Sequence, residues 1–163
     1  MSGRPAPTAR VFTLSDRAAA GEMRDESGPA LREQLRAAGF DVPPVELLAD
    51  DAAQLRVLLG VAAREVDLIV TTGGTGLTPR DVTPQAVLPL LDYEVPGLGE
   101  LMRQRGLEKT PMSTLSRSLG GVLGTCLILC LPGSVAGAGE SLEAVLPLLP
   151  HAIGQLQGRP THH

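Results

Sequence analysis

The segment that decides the fold class is VTTGGTGLTPRDVTP, residues 70–84, which joins an apolar strand to the start of a helix. The apolar residues 68–70 predict the end of a buried strand, and glycines follow at positions 73, 74 and 76. Glycine lets backbone N–H groups approach an anion closely, and we expect a Cβ at these positions to crowd the bound group. Thr83 and Pro84 predict a helix with Thr83 as its N-cap and proline at its first position. Such a strand, loop and helix predict an anion site in an α/β protein.

The same loop differs from two common nucleotide-binding motifs. It has no lysine where a G-x-x-x-x-G-K-[ST] phosphate loop requires one, and its glycines lack the G-x-G-x-x-G spacing of dinucleotide-binding proteins. The segment carries Arg80 and Asp81 instead, a cation beside a carboxylate that can bind magnesium. The sequence therefore predicts phosphate chemistry outside those two classes.

Strand-like and helix-like patterns alternate along the chain. Strands are expected near residues 9–15, 45–48, 66–72 and 125–131. Helices are expected from Ser27, after Asp51, from Pro84 to about residue 91, from Pro96, and over 142–156, where Pro147 and Pro150 interrupt the last one. This alternation predicts a three-layer α/β/α domain around a mainly parallel, doubly wound, Rossmann-like sheet.

We expect one domain over residues 9–158, because a chain of 163 residues has no room for two ordinary ones. Residues 1–8 are polar and proline-bearing, and they predict a flexible lead-in. Residues 159–163 are interpreted as a C-terminal tail. The stretch 109–117 is expected to be irregular or to lie at the edge of the sheet.

The composition argues against several classes of function. The formal net charge is −4, the basic residues are scattered, and Tyr93, Phe12 and Phe40 are the only aromatic residues, so we expect no nucleic-acid partner. No unbroken run of 18 apolar residues is present, so we expect no membrane span. Cys126 and Cys130 fall on one side of an expected strand, roughly 13 Å apart, which is too far for a disulfide between them. These features favour a cytoplasmic protein.

Two aspartates are the sharpest candidates for chemistry. Asp50 and Asp81 each follow an expected strand, and the carboxyl ends of neighbouring strands meet at one crevice in a doubly wound sheet. Two carboxylates facing a glycine-rich anion loop could share one Mg²⁺, which binds phosphate oxygens as well. The alternative is that Asp50 is a solvated turn residue and that Asp81 pairs with Arg80. Asp51 is interpreted as structural, since Gln54 three residues later predicts a capping box.

Other polar residues give weaker signals. Thr75 either donates a hydrogen bond to phosphate or only holds the loop through its own backbone. Ser116 and Arg117 do not predict a hydrolase triad, because the one histidine away from the terminus, His151, is expected on the last helix. The spacing of histidines and cysteines does not predict a metal site of the zinc type.

The whole chain resembles the MogA/MoaB family of molybdenum-cofactor biosynthesis proteins, which includes the G domain of gephyrin. The resemblance is carried by ordered motifs along most of the chain: Leu14-Ser15-Asp16-Arg17, Asp25-x-Ser27-Gly28, Ala49-Asp50-Asp51, the glycine loop, Leu115-Ser116-Arg117 and Leu131-Pro132-Gly133-Ser134. It implies the MogA-like fold and the adenylylation of molybdopterin with Mg²⁺-ATP, with release of pyrophosphate. It also implies a homotrimer that contacts the molybdate-insertion protein.

The resemblance assigns roles to individual positions. It implies that Asp50 and Asp81 are catalytic and hold Mg²⁺. It further implies contacts with the nucleotide or the pterin at eight positions: Gly73, Gly74, Thr75, Gly76, Ser116, Pro132, Gly133 and Ser134. The family usually has asparagine where this chain has Cys130, and loss of that amide is expected to weaken pterin recognition at one point.

Two other functions stay open on the sequence. The first is a non-catalytic, MoaB-type molybdopterin-binding or scaffold protein, in which the crevice persists and Cys130 marks relaxed turnover. The second is a flavin or nicotinamide binder on the same architecture, which the missing G-x-G-x-x-G spacing disfavours.

Overall fold

The computed structural model describes residues 3–159. Its six strands are β1 (Ala9–Leu14), β2 (Glu46–Leu48), β3 (Leu68–Thr72), β4 (Tyr93–Glu94), β5 (Leu119–Leu123) and β6 (Cys126–Leu131). They form one sheet in the order β2-β1-β3-β6-β5-β4. Strands β2, β1, β3 and β6 are parallel, whereas β5 and β4 run antiparallel to their neighbours.

Seven helices cover the two faces of this sheet in the described part of the chain. They are α1 (Asp16–Ala19), α2 (Ser27–Ala37), α3 (Ala52–Ala62), α4 (Thr83–Val87), α5 (Pro96–Leu107), α6 (Val135–Val145) and α7 (Leu149–Leu156). Buried side chains of α2, α5, α6 and α7 pack on one face, and those of α3 and α4 pack on the other. The predicted three-layer architecture with a mainly parallel sheet is confirmed.

The central strand β3 is buried over its whole length. Leu68 and Val70 point into the core cluster beneath α2 and α6, while Ile69 points into the cluster beneath α3. A strand that is covered on both faces requires a continuous apolar run, which explains why the sequence there does not alternate. Each fully buried side chain of this kind contributes about 1.5–3 kcal/mol.

The order of the strands creates a crevice. From β1 the chain crosses to β2 on one side and then, through α3, to β3 on the other side. The carboxyl ends of β1 and β3 are therefore adjacent at the point where the strand order reverses. This is the position at which doubly wound sheets bind ligands.

The proline break predicted in the last helical region is confirmed. Helix α6 ends at Val145, a single 3₁₀ turn covers Leu146–Leu148, and α7 starts at Leu149. Pro147 and Pro150 each fall in the first positions of the segment that follows a break, where their missing N–H is tolerated.

Two sequence-based expectations are corrected. Val82, rather than Thr83, is the N-cap of α4, and the Thr83 hydroxyl donates to the carbonyl oxygen of Gly73 at 2.9 Å. The antiparallel strands β4 and β5 were not predicted; the expected irregular stretch before β5 contains a 3₁₀ turn over Pro111–Leu115.

The end of the predicted flexible lead-in is hydrogen-bonded to the body of the domain. The backbone N–H of Thr8 donates to Asp67 Oδ2 at 2.9 Å, and Asp41 N–H donates to the Pro7 carbonyl at 2.9 Å. Residues 1–2, and the tail beyond Arg159, lie outside the described residues. Within residues 3–159, none of the helices has the length and apolar character needed to cross a membrane.

Candidate functional site

A cavity of about 520 Å³ opens at the carboxyl ends of β1 and β3. We call it the main cavity. Six of the ten residues predicted for the site line it: Asp50, Gly73, Gly74, Asp81, Gly133 and Ser134. Sequence segments that are far apart therefore meet at the crevice that the strand order predicts.

Two smaller cavities adjoin the main cavity. The serine cavity, of about 210 Å³, is lined by Ser116, Pro132 and Ser134 among others, and it shares Ser134 with the main cavity. The loop cavity, of about 410 Å³, is lined by Thr75 and Gly76, together with Ser116, Pro132 and Gly133. All ten predicted residues thus surround one turn, residues 132–134, although Thr75, Gly76, Ser116 and Pro132 do not line the main cavity.

Two glycines of the loop are required by the geometry of the protein itself. Gly73 and Gly74 have φ angles of 102° and 71°, values that strain any other residue. A Cβ on Gly73 would lie closer than 3.0 Å to the Leu14 carbonyl oxygen, and one on Gly74 would lie equally close to Thr83 Oγ1. The added atoms would therefore collide with the protein itself.

The backbone of this loop supplies hydrogen-bond donors. The N–H of Gly73 is occupied, since it donates to the Leu131 carbonyl at 3.1 Å. In the described residues, no acceptor pairs with the backbone N–H groups of residues 74–76 or of 133–134. At the start of α6, Ser134 caps the helix by accepting a hydrogen bond from Gly137 N–H at 3.1 Å. These unpaired amides line the cavities and are suited to anionic oxygens.

Arg117 holds the loop in place. Its Nε and Nη2 donate to the Gly76 carbonyl oxygen at 2.9 and 2.7 Å, and Nη2 also donates to the Asp81 carbonyl at 2.7 Å. Its Nη1 donates to Gln85 Oε1 at 3.1 Å, and its backbone N–H donates to the Thr75 carbonyl at 2.9 Å. One guanidinium group therefore joins the segment that carries Ser116 to the segment that carries Asp81.

Asp50 is half-buried and held by Asp16. Its backbone N–H donates to Asp16 Oδ1 at 2.8 Å, and its Oδ2 accepts from Asp16 N–H at 3.2 Å. Burial is the largest cause that raises the pKa of Asp50, and the nearby carboxylates of Asp16 and Asp81 add to it. The hydrogen bond from Asp16 N–H and the Arg80 guanidinium act in the opposite direction. Asp50 thus lies in a bend, as the alternative interpretation has it, but it is only partly exposed and its carboxylate is hydrogen-bonded.

Asp81 is held within its own loop. Its Oδ2 accepts hydrogen bonds from the backbone N–H and the hydroxyl of Thr78, at 2.9 and 2.8 Å. The alternative pairing of Asp81 with Arg80 is wrong, because the Arg80 guanidinium lies 3.7 Å from Asp16 Oδ2 instead. Arg80 therefore reduces the repulsion among three acids near the cavity rather than neutralising Asp81 alone.

Comparison with known protein families identifies the family of this chain. Residues 10–151 match the family described as a probable molybdopterin binding domain. The chain belongs to this family. The resemblance found in the motifs is confirmed by a match that covers every segment around the main cavity.

Individual relatives agree with the family match. The chain is 37% identical to the molybdopterin adenylyltransferase of Helicobacter pylori, over 91% of this chain and 86% of that protein. It is 51% identical to the molybdopterin biosynthesis enzyme MoaB of Thermus thermophilus, whose crystal structure superposes with a TM-score of 0.88 and covers 94% of this chain and 98% of that one.

A third relative is longer. The chain is 40% identical to a molybdenum cofactor biosynthesis bifunctional protein of Synechococcus elongatus, over 92% of this chain and 47% of that protein. The chain spans less than half the length of several curated relatives that it matches.

The position at which the family usually has asparagine lies away from the cavities. Cys130 is fully buried in β6 and packs in the apolar cluster with Phe12, on the face of the sheet covered by α3 and α4. Burial raises the pKa of its thiol to about 12, and the Thr71 hydroxyl beside it acts against that rise. The expected loss of pterin recognition at Cys130 therefore has no direct geometric basis in this chain.

The two predicted carboxylates fit a magnesium ion that is shared with phosphate. Both line the main cavity, and their charges are close enough for Asp81 to affect the pKa of Asp50. Each uses Oδ2 for the hydrogen bonds described above, while Oδ1 has no partner in the described residues. Magnesium keeps several waters and needs only one or two carboxylates when a substrate supplies phosphate oxygens. No group of three or more histidine, cysteine or acidic residues among residues 3–159 forms a protein-only metal site.

Besides Ser15, which accepts a hydrogen bond from Ala18 N–H at 3.2 Å, sequence reasoning missed three hydroxyl residues that line the main cavity. Thr72 donates to the Pro132 carbonyl at 2.7 Å and lies 3.2 Å from the Ser27 hydroxyl, so both are occupied. The third is Thr13, at the end of β1, which is 4% exposed. For Thr13 and Thr72, the sequence signal that could have identified them is a hydroxyl residue near the end of an apolar strand, next to the predicted crevice.

Proposed function

We propose that this protein is a molybdopterin adenylyltransferase of molybdenum cofactor biosynthesis. The reaction transfers AMP from ATP to the terminal phosphate of molybdopterin and releases pyrophosphate. One observation carries the proposal: Asp50 and Asp81, from separate segments, line a single cavity together with unpaired loop amides. The printed name of the Helicobacter pylori relative supports the same activity.

The proposed reaction brings together two polyanions, ATP and the phosphate group of molybdopterin. An oxygen of the molybdopterin phosphate attacks the α-phosphorus of ATP, a new P–O bond forms, and the bond from that phosphorus to the pyrophosphate oxygen breaks. Such a transfer requires positioning and electrostatic stabilisation more than acid or base groups. The residues of this site are of the kinds that supply both.

Each part of the site has a role in this proposal. The carboxylates of Asp50 and Asp81 hold Mg²⁺, which neutralises phosphate charge when it is bound. The amides of residues 74–76 and 133–134 donate to phosphoryl oxygens, and the start of α6 adds the favourable end of a helix dipole. Ser116 in the serine cavity contacts the pterin substrate, and Arg117 keeps the loop that carries Asp81 in position.

The charge of the main cavity explains why a cation is needed. Four acidic residues line it, Asp25, Glu26, Asp50 and Asp81, against one basic residue, Arg24. Phosphate oxygens alone would be repelled by this excess of carboxylates. Asp50 and Asp81 would hold a divalent cation whose positive charge would offset this repulsion, and the proposal therefore includes Mg²⁺ as an obligatory component.

We also propose a cytoplasmic homotrimer that passes the adenylylated product to the molybdate-insertion protein. The resemblance to the MogA/MoaB family supports the trimer and the partner. The two buried free thiols, Cys126 and Cys130, are in keeping with a reducing compartment.

The test is direct measurement of turnover. Purified protein is incubated with molybdopterin and Mg²⁺-ATP, and pyrophosphate is measured against reactions without protein and reactions with EDTA. We expect pyrophosphate release that requires both substrates and Mg²⁺. Binding of molybdopterin without any pyrophosphate above the control would instead favour the MoaB-type binding or scaffold function. The Thermus thermophilus relative that carries the MoaB name is 51% identical to the chain, against 37% for the Helicobacter pylori adenylyltransferase.

A further inference from the structure

The hydroxyl of Thr13 is buried without a hydrogen-bond partner in the described part of the chain. Thr13 is 4% exposed, and its Oγ1 has neither a donor nor an acceptor within reach. A buried polar group left unpaired is costly, and native proteins rarely keep one without a reason. Thr71 Oγ1 and Glu46 Oε2 are also buried without a partner, but of these three residues only Thr13 lines one of the three cavities.

The position of Thr13 supplies a reason for its unpaired hydroxyl. Thr13 lies at the carboxyl end of β1, pairs in register with Thr72 of β3, and lines the main cavity beside Asp50 and the glycine loop. Its side chain is on the face of the sheet opposite to Phe12, which packs in the core beneath α3. That second face is covered by α2 and α6, and Thr13 lies at its edge, where the apolar core meets the main cavity.

A glycine packs directly against this hydroxyl. A Cβ on Gly28, at the start of α2, would lie closer than 3.0 Å to Thr13 Oγ1, to Asp25 Oδ2 and to a methyl group of Val45. A side chain at position 28 would therefore collide with Thr13 and displace it. Gly28 N–H is itself occupied by Asp25 Oδ1 at 3.1 Å, so it does not pair with Thr13.

We infer that Thr13 is a substrate-binding residue, whose hydroxyl donates a hydrogen bond to a phosphoryl oxygen of a ligand in the main cavity. The inference rests on the proposed function, since it assigns a donor to the phosphate-bearing substrates of that reaction. A hydroxyl is a neutral donor, which approaches a phosphoryl oxygen without adding charge to a site that already holds a cation. Both ATP and molybdopterin carry such an oxygen.

The test compares two variants with a matched control. Thr13→Val keeps the shape of the side chain and removes the hydroxyl, whereas Thr13→Ser keeps the hydroxyl. The control is Thr71→Val, one strand away, which removes another fully buried hydroxyl on the opposite face, beside Cys130 and outside the three cavities. Affinities for Mg²⁺-ATP and for molybdopterin are measured separately by titration calorimetry, and thermal unfolding is measured for each protein.

We expect Thr13→Val to weaken binding of one or both substrates about 3- to 10-fold, with an unchanged or higher unfolding midpoint. Thr13→Ser restores the wild-type affinity, and Thr71→Val leaves it unchanged. The substrate whose affinity falls is the one that brings the phosphoryl oxygen to Thr13.

Three results would overturn the inference. If wild type binds both substrates and Thr13→Val binds them equally well, Thr13 has no role in binding while the proposed function stands. The same conclusion follows if Thr13→Val lowers the unfolding midpoint and leaves affinity unchanged, because the hydroxyl is then structural. If the wild-type protein binds neither substrate, the proposed function fails and the inference fails with it.

Discussion

Asp16, at the start of α1, and Asp50, just after β2, each donate a backbone hydrogen bond to the carboxylate of the other. Asp50 N–H donates to Asp16 Oδ1 at 2.8 Å, and Asp16 N–H donates to Asp50 Oδ2 at 3.2 Å. Each carboxylate is therefore fixed by the main chain of the other residue. The arrangement orients Asp50 and also places two like charges together, which destabilises its ionised form.

The first prediction concerns Asp50 itself. Asp50→Asn removes the metal-binding charge but keeps an oxygen that can accept from Asp16 N–H, so the loop is retained. We expect pyrophosphate release to fall at least about 100-fold, as for loss of a group that stabilises transferred charge. The unfolding midpoint at neutral pH should stay level or rise, because a half-buried charge beside other acids has been removed.

Asp51 provides the matched control for that variant. Its carboxylate accepts a hydrogen bond from Gln54 N–H at 3.1 Å and caps α3, as the sequence predicted. Asp51→Ala should cost about 1 kcal/mol of stability and leave turnover near that of wild type. If Asp50→Asn kept full turnover while Asp51→Ala lost it, the assignment of the two neighbouring acids would be reversed.

The second prediction is a pH dependence. Turnover requires ionised Asp50, and since its pKa is raised above the ordinary 3.8, turnover should fall at a pH above that value as the solution is acidified. Asp16→Asn removes a like charge, so it should move this acidic limb to lower pH. Arg80→Gln removes an attracting cation, so it should move the limb to higher pH. Rate profiles that run from below the ordinary value of 3.8 to neutral pH measure both shifts.

The effect on stability has the opposite sign to the usual aspartate case. A folded-state pKa above the unfolded value means that ionisation of Asp50 weakens the fold as pH rises through the raised pKa. Wild type should therefore lose stability relative to Asp50→Asn on going from acidic to neutral pH. If the unfolding free energies of wild type and Asp50→Asn changed with pH in the same way, Asp50 would not have the raised pKa that burial and charge repulsion are expected to give it.

The third prediction tests Arg117 as a positioning residue. Arg117→Met removes its hydrogen bonds to the carbonyls of Gly76 and Asp81, so the loop should loosen. We expect a loss of about 1–3 kcal/mol in unfolding free energy, faster amide exchange over residues 75–85 and a higher Mg²⁺ requirement for turnover. Hydrogen exchange and magnesium titration of the rate measure these effects.

Arg32 provides the control for Arg117, since its Nε donates to the carbonyl oxygens of Val42 and Pro43, each at 3.0 Å, away from the cavities. Arg32→Met should lower stability and leave the magnesium requirement unchanged. An unchanged magnesium requirement in Arg117→Met would show that the guanidinium stabilises the fold without positioning Asp81.

The fourth prediction concerns the glycine loop. Gly74→Ala places a Cβ against Thr83 Oγ1 at a φ of 71°, so we expect a loss of about 1–3 kcal/mol and reduced turnover. Gly60→Ala is the control: Gly60 lies in α3 with nothing within 4 Å of the added Cβ, and alanine there should stabilise the helix by up to about 1 kcal/mol. Denaturant unfolding of both variants distinguishes loop strain from a general effect of adding a methyl group.

The parts of the fold that the sequence predicted are those that depend on local pattern. The apolar run before the loop, the Asp51 cap and the proline break are each decided within a few residues. The presence of Asp50 and Asp81 at one cavity could also be predicted, because parallel strands bring their carboxyl ends to the same edge of the sheet.

The antiparallel edge could not be predicted in the same way. Strand β5 contains Gly120 and Gly121, which lower the strand signal. A Cβ at either position would lie closer than 3.0 Å to a leucine side chain, Leu98 or Leu91 respectively. These glycines are required by the close approach of neighbouring elements, and that information is tertiary.

The contributions of Arg117 and Thr13 are tertiary for the same reason. The carbonyls that Arg117 binds belong to residues 36 or more positions earlier, and nothing in the local sequence identifies them. The unpaired hydroxyl of Thr13 becomes visible only when the cavity that it lines is known. Cys130 is the opposite case: the sequence drew attention to it because the family usually has asparagine there, but the structure places it in the apolar core.

The most direct test of the central claim is the position of the metal. Crystals grown with Mn²⁺ in place of Mg²⁺ and with a non-hydrolysable ATP analogue would show the ion by its anomalous scattering. We predict one peak between Asp50 and Asp81, with phosphate oxygens completing its coordination, and no peak there in Asp50→Asn. A bound nucleotide whose ion lies elsewhere, or whose phosphates lie outside the main cavity, would contradict the account.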